Sequence, residues 1–563
     1  MRTLLSGRTM TAIALALSTQ LLFAAAAKAD DDNDGHRQPR HIEHVLLISI
    51  DGFHAVDLTN CVAGGYCPHL AELAEHGVTY ANASTTKPSD SFPGLTAQIT
   101  GGTPKSAGVY YDDSYDRTLY APANFSTGPC TSGPGAETNN SEVEDKDLHQ
   151  IDGGVPAALT GLNSAVAIDP NNLPGQLVNG VCTPVWPHNF IRVNTIFQII
   201  HQHHMHTAWS DKHPAYDLVN GNDPDSQPTN APGTNVDDFF APEINSDLSA
   251  ANVNLIASLG LHSTAPAPVT DPTCPGPNCG SDFTSTFDGI RYYDGIKVEG
   301  VINELNGWDH TGTRQLGTPA ILGMNFQAVS VGEKLKDGGY RDAAGTPTDN
   351  LKQQIAFVDQ SIGMMINTLH NRSLEDRTLV IVSAKHGQSP INRNLVVRLD
   401  DSKVIAAPIG PNFSFDIGDD GVLIWLKSNS DGKTQAAVDA LKNFSGDTGI
   451  ASFLYGDPLA DMFQDPAHDS RVPDIIGITR VGVIYTTGSK IAEHGGFNPD
   501  DVHVAMLVAN PHMEKSTVND PVATTQIAPT ILKALGLDPD QLDAVRMEHT
   551  QSLPGVGFGE ESE

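Results

Sequence analysis

Short apolar runs alternate with helical patterns along the chain from Ile42 onward. Five of these runs are rich in β-branched and other apolar residues and are typical of buried strands: HVLLISID (44–51), PAILGMNF (319–326), TLVIVSA (378–384), GVLIWLK (421–427) and VHVAMLVA (502–509). Between the second and third runs, six apolar residues share one face of a helix that Thr348 can cap: Leu351, Ile355, Val358, Ile362, Met365 and Leu369. This alternation predicts an α/β fold in which helices flank a mainly parallel central sheet.

Two stretches interrupt the alternation, at about residues 111–187 and 219–285. Both are rich in Gly, Pro, Asn and Asp and have little periodicity, which is typical of long loops or of a cap over a site. They predict insertions within a single domain that spans residues 41–551. The acidic segment 30–40 and the tail 552–563 are predicted to be disordered.

The first 29 residues have the pattern of a secretory signal peptide. They combine Arg2 and Arg8, an apolar run and the small-residue sequence AKA before Asp30, which predicts cleavage after residue 29. A membrane span is the weaker interpretation, because polar residues interrupt the run and no later apolar stretch is long enough to cross a bilayer. We expect a secreted or periplasmic protein without a membrane span.

The six cysteines suit an exported chain with disulfide bonds. The pairings that close the shortest loops are Cys61 with Cys67, Cys130 with Cys182 and Cys274 with Cys279. They are one choice among fifteen possible pairings. The spacing of the cysteines does not match a zinc site.

The chain is strongly acidic, with a formal net charge of −34. Cleavage after residue 29 would remove three positive charges and change the net charge to −37. This balance excludes a basic nucleic-acid-binding patch. If the substrate is an anion, a metal ion, a helix N-terminus or a placed lysine must offset the acidic field locally.

Four polar residues stand where functional groups gather in an open α/β sheet, just beyond the strand ends. Asp51 ends the first apolar run, and His386 closely follows the third. Ser91 stands at the start of a short helical pattern, and His494 precedes two glycines. Taken singly, each also has an ordinary interpretation: a turn for Asp51, a helix cap for Ser91 and surface turns for the histidines.

The order of these residues resembles that of the alkaline phosphatase superfamily, and most of all its type I phosphodiesterase / nucleotide pyrophosphatase family. The motifs that carry the resemblance are LLISIDG, DSFPGLTAQITGGTPKSAGVYYD, VIVSAKHGQSPI, AEHGGF and TTQIAPTILKALGL. They extend over about Glu43 to Asp538, whereas the loops between them do not match. The resemblance implies an alkaline phosphatase-like α/β fold.

The resemblance also implies an exported phosphoric ester hydrolase of the phosphodiesterase or nucleotide pyrophosphatase type, acting on a small phosphate ester. Ser91 would be the nucleophile, and divalent metal, with zinc as the expected ion, would activate it. Position by position, Asp51, Ser91 and His386 match one metal site. His494 matches a ligand of the other.

The chain departs from the family pattern at both metal sites. Lys385 stands where the family has an Asp before His-Gly, and a cation cannot replace a carboxylate ligand. Asn325 stands in the position of another Asp, and no histidine follows it. Asp309 and His310, shortly before that strand, either fold back as replacement ligands or form a solvated loop.

Lys385 itself has two interpretations. It either takes over part of the work of a metal ion, neutralising a substrate oxygen in the transition state, or pairs with Asp51 in a site that has lost catalysis. A further segment, AWSDKHPAYD, offers Lys212, His213 and Tyr216 as pocket residues or as a surface loop.

Two rival functions therefore stay open. The first is a phosphomonoesterase, sulfatase or phosphonate hydrolase on the same fold, because substrate preference depends on loops that the motifs do not cover. The second is a non-catalytic relative that binds anions, which the substitutions at Lys385 and Asn325 favour.

Overall fold

A computed structural model of the 563-residue chain describes residues 41–122, 125, 128–139, 144–222, 231–265 and 282–557. The predicted signal peptide, the acidic segment 30–40, residues 558–563 and the cysteines at 274 and 279 lie outside these ranges. None of the helices within them combines the length and the apolar character that crossing a membrane requires.

An eight-stranded sheet forms the centre of the fold. Strands and α-helices are numbered in chain order. The strands of this sheet are β1 (His44–Ile50), β2 (Gly77–Tyr80), β8 (Ala208–Ser210), β9 (Asp238–Phe240), β10 (Ile321–Phe326), β11 (Thr378–Ser383), β18 (Leu507–Ala509) and β19 (Ser516–Val518). Their order across the sheet is β19-β2-β18-β11-β1-β10-β8-β9.

Most neighbours in this sheet run parallel, as the alternation of strands and helices predicts. Strands β11, β1, β10, β8 and β9 form a continuous parallel block, and β19 pairs in parallel with β2. Only β18 runs against both of its neighbours. The carboxyl ends of β11, β1, β10 and β8 therefore meet side by side at one edge of the sheet.

Apolar side chains cover both faces of the sheet, as expected for parallel strands. In β1, Val45 and Leu47 belong to one core cluster. Leu46 and Ile48 belong to the other. Because every second side chain of a strand points to the same face, these clusters are the two layers in which the helices pack.

Helices fill both layers. Those that contribute to the Leu46 side are α1 (Ala55–Ala63), α2 (Pro68–Glu75), α5 (Ala157–Thr160), α8 (Ala250–Ser258), α9 (Phe287–Leu305), α10 (Ala328–Lys334) and α11 (Asp349–Asn371). Those on the Val45 side are α3 (Ser91–Thr100), α4 (Pro104–Ala107), α6 (Pro187–Phe190), α7 (Ile196–Gln202), α16 (Ile527–Ala534) and α17 (Asp543–Glu548).

Helix α11 confirms the predicted amphipathic helix. The Thr348 side chain caps it by accepting a hydrogen bond of 3.2 Å from the amide of Leu351. The six predicted apolar residues are all buried on the core side.

A second, antiparallel sheet carries one of the five predicted strands. It contains β13 (Phe413–Gly418), β14 (Gly421–Leu426), β15 (Ile450–Tyr455) and β16 (Ile475–Thr479) in the order β13-β14-β16-β15. The run GVLIWLK forms β14, which has its own core against α12 (Ala407–Ile409) and α13 (Asp431–Lys442). The continuous apolar run of β14 indicates a strand that is buried on both faces. It does not indicate which sheet the strand joins.

The first predicted insertion contains a further antiparallel sheet. Its strands are β4 (Asp113–Tyr120), β5 (Pro134–Asn139), β6 (Gly175–Val178) and β7 (Val181–Pro184). The remaining elements are the strand pairs β3 (Ala83–Ser84) with β20 (Val522–Ala523) and β12 (Val397–Leu399) with β17 (Val483–Tyr485), and the helices α14 (Asp457–Met462) and α15 (Pro499–Val502).

Two disulfides join cysteines that the sequence analysis paired. Cys61 bonds to Cys67 between α1 and α2. Cys130 bonds to Cys182 and ties β7 to the loop before β5. Both predicted pairings within the described residues are confirmed.

Helix α3 packs unusually close to the chain that follows β11. A Cβ added at Gly94 would lie 2.2 Å from the carbonyl oxygen of Lys385. Only glycine permits this approach, and the contact fixes the start of α3 against the carboxyl end of β11.

Gly94→Ala is expected to destabilise the protein by about 1–3 kcal/mol, because α3 must move away from Lys385 to accommodate the methyl group. Gly432→Ala is the matched control: Gly432 lies in α13, where an added Cβ has no neighbour within 4 Å, and alanine there should leave stability unchanged or raise it. Urea-unfolding midpoints followed by tryptophan fluorescence compare the variants. A wild-type midpoint for Gly94→Ala would contradict the close contact.

Candidate active site

The four adjacent parallel strand ends bring together the polar side chains of one buried cluster, which we call the Ser91 centre. The strands supply Asp51 after β1, Asp211 and Lys212 after β8, Asn325 and Gln327 around the end of β10, and Lys385 and His386 after β11. Ser91 and Asp90 come from the start of α3, and His494 from the loop before α15. This is the edge at which open α/β sheets hold their functional groups.

Ser91 is the first helical residue of α3 and is fully buried. Its Oγ lies 3.2 Å from Nε2 of His386. The ammonium group of Lys212 donates a hydrogen bond of 2.9 Å to the same oxygen. The hydroxyl therefore stands between a nitrogen base and a cation.

Asp90, rather than Ser91, caps α3. The amides of Phe92 and Asp112 donate to Oδ2 of Asp90 over 3.1 and 3.0 Å. Pro93 has no N–H, and the Gly94 amide bonds to the Asp90 carbonyl. Residues 92–94 therefore offer no free amide to a substrate anion, which must be held mainly by side chains.

Asp51 is fully buried, and both of its oxygens are engaged. Asn325 donates to Oδ1 over 2.7 Å, and Gln327 donates to Oδ2 over 2.6 Å. Burial acts to raise the pKa of Asp51, but Lys385, His386 and Lys212 hold it well below its usual value. Asp51 is therefore a permanent anion beneath Ser91.

Lys385 forms a buried ion pair with Asp211. Its ammonium group lies 2.9 and 3.1 Å from the two Asp211 oxygens and 4.0 Å from the centroid of the Tyr216 ring. Burial lowers the pKa of Lys385, and the carboxylates of Asp211 and Asp51 oppose that shift. One of the two interpretations of Lys385 paired it with Asp51; the structure gives Asp211 as the partner instead, because the chain after β8 reaches over β10 and β1.

His386 and His494 stack with their ring centroids 3.7 Å apart. Nδ1 of His386 lies 2.7 Å from the Gly387 carbonyl oxygen, and Nδ1 of His494 lies 3.4 Å from an oxygen of Asp90. Burial lowers the pKa of His494 well below its usual value. His494 is therefore neutral, and it forms one wall of the centre.

Backbone pairing between the segments around Ser89 and Gly495 sets the position of His494. The Ser89 amide donates to the Gly496 carbonyl over 3.0 Å, and the Gly495 amide donates to the Ser89 carbonyl over 2.8 Å. The late His-Gly-Gly motif therefore reaches the start of α3, as the order of motifs predicts.

Asp309 and His310 have other partners. Both ring nitrogens of His310 are engaged, Nδ1 with Asp238 at 2.6 Å and Nε2 with the Leu159 carbonyl at 3.0 Å. Asp309 accepts hydrogen bonds from the amides of Thr313 and Arg314 in its own loop. These contacts hold a loop at the β9 side of the sheet, and they leave no free ring nitrogen for the role of replacement ligand.

The segment after β8 lies in the centre rather than on a surface loop. Lys212 contacts Ser91, and Tyr216 stacks under the Lys385 ammonium. His213 is held by Glu243, with 2.8 Å between Nδ1 and the carboxylate. The sequence offered Lys212 as a pocket residue but did not indicate its contact with Ser91; like Asp51 and His386, it follows a strand end.

Two more residues were missed from the sequence. Asp211 directly precedes Lys212, and Gln327 directly follows Phe326 at the end of β10. Both stand at strand ends, but neither belongs to a motif of the resemblance. Whether Asp211 and Gln327 reach the Ser91 centre depends on which strands are neighbours in the sheet. The linear sequence does not show this.

The side chains around Ser91 do not fit a divalent ion. Amide NH₂ groups cover both oxygens of Asp51, and a lysine stands in a carboxylate position. Among the described residues, the one set of three His, Cys, Asp or Glu side chains whose ligand atoms lie within 4.8 Å of one another is elsewhere. A divalent ion needs several anionic or neutral ligand atoms that converge. Here the Lys212 ammonium lies 2.9 Å from Ser91 Oγ, and the described side-chain atoms of the centre left without hydrogen-bond partners are the pair of Asp90 Oδ1 and His494 Nδ1, 3.4 Å apart. Two ligand atoms are fewer than such an ion needs.

The converging set is His54, Asp57 and Glu333, buried beneath the Asp51 turn. The Tyr340 hydroxyl lies 2.8 Å from His54 Nδ1 and 2.8 Å from Asp57 Oδ2, and it also contacts Glu333. Burial opposes the change, but Glu333 and Asp57 raise the pKa of His54 well above its usual value. A protonated imidazole therefore supplies the positive charge between these carboxylates.

The family model of the type I phosphodiesterase / nucleotide pyrophosphatase proteins matches residues 45–148 and 326–501. These two segments contain Asp51, Ser91, Lys385, His386 and His494. A search of curated proteins finds no match to the chain.

Two solved structures are similar to the chain. The alkaline phosphatase PafA shares 13% sequence identity with the chain, and the alignment covers 89% of this chain and 96% of PafA with a TM-score of 0.54. Murine ectonucleotide pyrophosphatase / phosphodiesterase 5 is 14% identical, with 88% and 96% of the two chains covered and a TM-score of 0.49. The similarity to PafA establishes the alkaline phosphatase-like fold predicted from the sequence.

Asp211→Asn is expected to destabilise the protein by about 3–5 kcal/mol, because it leaves the buried Lys385 ammonium without its partner. The double variant Asp211→Asn/Lys385→Met should recover much of that loss, since it also removes the charge. Glu43→Gln, which breaks the exposed ion pair with Arg377, is the control and should cost about 1 kcal/mol or less. Urea unfolding measures all three. A double variant no more stable than Asp211→Asn would show that the charge pair is not the cause.

Proposed function

Because the chain belongs to the type I phosphodiesterase / nucleotide pyrophosphatase family, we propose that it hydrolyses phosphate diesters or pyrophosphates with Ser91 as the nucleophile. The observation that carries this proposal is the position of the Ser91 hydroxyl between Nε2 of His386 and the Lys212 ammonium. An activated nucleophile needs a base within hydrogen-bond reach, and this serine has one.

His386 is suited to take the proton of Ser91. When its Nδ1–H donates to the Gly387 carbonyl, the neutral imidazole carries its lone pair on Nε2. That lone pair faces the Ser91 oxygen. Asp51 lies 3.5 Å from the same nitrogen and stabilises the imidazolium that proton transfer produces.

The reaction proceeds in two displacements. In the first, the bond from Ser91 Oγ to phosphorus forms, the bond from phosphorus to the leaving oxygen breaks, and the Ser91 proton moves to His386. In the second, a water oxygen attacks phosphorus from the opposite side, the bond to Oγ breaks, and His386 returns the proton to Ser91. One water proton stays on the phosphate product and the other goes to solvent, and the leaving oxygen takes one proton from solvent.

Cationic side chains hold the substrate in this scheme. The Lys212 side chain is 12% exposed, so its ammonium group is both in contact with Ser91 and open towards solvent. It offsets locally the acidic charge of the protein and attracts the phosphoryl oxygens. Lys385 contributes through its field and through its pairing with Asp211.

The same proposal includes export. The two disulfides of the described residues are typical of oxidising compartments, and the first 29 residues have the pattern of a signal peptide. We therefore place the enzyme in the periplasm or outside the cell. The zinc expected from the resemblance is left out of this scheme, because the side chains around Ser91 do not fit it.

Ser91→Ala is expected to reduce the hydrolysis of bis(nitrophenyl) phosphate by at least about 10³-fold, because no other oxygen can form the covalent intermediate. Ser258→Ala, at an exposed position of α8, is the control and should keep wild-type turnover. Nitrophenolate release is measured for the diester and for the monoester and sulfate analogues.

Each rival function gives a different result in this assay. Faster cleavage of the monoester or the sulfate would reassign the substrate class while leaving the nucleophile in place. Undiminished diester turnover in Ser91→Ala would refute the nucleophile. Binding of inorganic phosphate without cleavage of any ester would support the non-catalytic relative.

A further inference from the structure

The Lys212 ammonium contacts the same atoms that a metal ion would need. It lies 2.9 Å from Ser91 Oγ and 3.7 Å from Oδ2 of Asp51. The resemblance assigns these two groups, with His386, to one metal site. A cation is therefore already present between the nucleophile and its buried carboxylate, and the protein itself provides it.

The backbone holds Lys212 firmly in this place. Its amide donates to Asp211 over 2.9 Å. Its carbonyl accepts hydrogen bonds from the Ile244 amide over 3.0 Å and from the Tyr293 hydroxyl over 3.2 Å. With its backbone fixed on both sides, the side chain needs only its own rotamers to reach Ser91.

The carboxylate beneath Ser91 is arranged for hydrogen-bond donors rather than for an ion. The amide groups of Asn325 and Gln327 take one Asp51 oxygen each. An amide NH₂ is a donor, and it repels a metal ion brought to the same oxygens. Asn325 stands where the family pattern has an Asp, so one substitution removes a ligand and adds a donor.

A second ammonium group adds to the positive charge. Lys385 replaces the other family carboxylate and is buried within the centre. Its ammonium group is paired with Asp211, so the unpaired charge near Asp51 comes mainly from Lys212. A divalent ion placed against Oδ2 of Asp51 would meet the Lys212 ammonium, which lies 3.7 Å from that oxygen, in a site of low dielectric constant where like charges repel strongly.

We infer that the Ser91 centre works without a divalent metal ion and that the Lys212 ammonium takes the place of that ion. This inference rests on the proposed function. Lys212 stabilises the developing charge on Ser91 Oγ and on the phosphoryl oxygens, while His386 moves the proton. Lys212 is then a catalytic residue, because its ammonium touches the reacting oxygen.

Metal removal gives the first test. The purified wild-type protein is dialysed against EDTA, its metal content is measured by mass spectrometry, and diester hydrolysis is followed before and after. We expect turnover to stay within about twofold of the untreated protein. Loss of turnover on chelation with recovery on adding zinc would overturn the inference while leaving the proposed function standing.

Lys212→Ala gives the second test. It should lower kcat for the diester by about 10²–10³-fold, as removal of a transition-state donor does elsewhere. Lys212→Arg should keep more activity than Lys212→Ala, and ethylammonium added to Lys212→Ala should restore part of it. Lys403→Ala, at an exposed position, is the control. A loss that neither arginine nor ethylammonium relieves would show a structural role and refute the catalytic one.

A zinc titration decides the question even if the wild-type protein cleaves no ester. Calorimetry compares the wild type with Asp51→Asn, which alters the Ser91 centre but not the set of His54, Asp57 and Glu333. We expect the two isotherms to coincide. Zinc binding by the wild type that Asp51→Asn abolishes would place an ion at the Ser91 centre and overturn the inference, whereas failure of all ester assays would count against the proposed function alone.

Discussion

The buried ion pair between Lys385 and Asp211 is the interaction on which the rest of the site depends. It joins the chain after β11 to the chain after β8, across the ends of the two strands between them. Asp211 also accepts the Lys212 amide and the Trp209 indole N–H. One carboxylate thus neutralises the buried Lys385 and fixes the backbone of Lys212, which contacts Ser91.

The pair also explains how so many charged groups share one buried space. Each anion has donors: Asp51 has two amide side chains, Oδ2 of Asp90 has the amides of Phe92 and Asp112, and Asp211 has Lys385. Buried charges are tolerated only when they are paired and hydrogen-bonded in this way. The replacement of two carboxylates by Lys385 and Asn325 is therefore a consistent rearrangement of the centre, since both new side chains have partners.

The sequence pattern was sufficient to predict the fold class and helix α11. It was also sufficient to predict that Asp51, Ser91, His386 and His494 lie at strand or helix ends of the same sheet edge. These residues follow apolar runs or stand in motifs, and each signal is local. The roles of Asp211, Lys212 and Gln327 could not be read in the same way, because they depend on β8 and β10 lying next to β1. For the same reason one interpretation paired Lys385 with Asp51, which stands in a motif, whereas the partner in the structure is Asp211.

The sequence separation within the centre has a consequence for how the protein matures. Ser91 and His386 are 295 residues apart, and Asp211 and Lys385 are 174 apart. Such contacts close only after long loops have been ordered, which places them late in folding. A partly ordered chain holds Ser91 without His386 and Lys212 beside it. The topology therefore delays assembly of the Ser91 centre until strands β8 and β11 have joined the sheet.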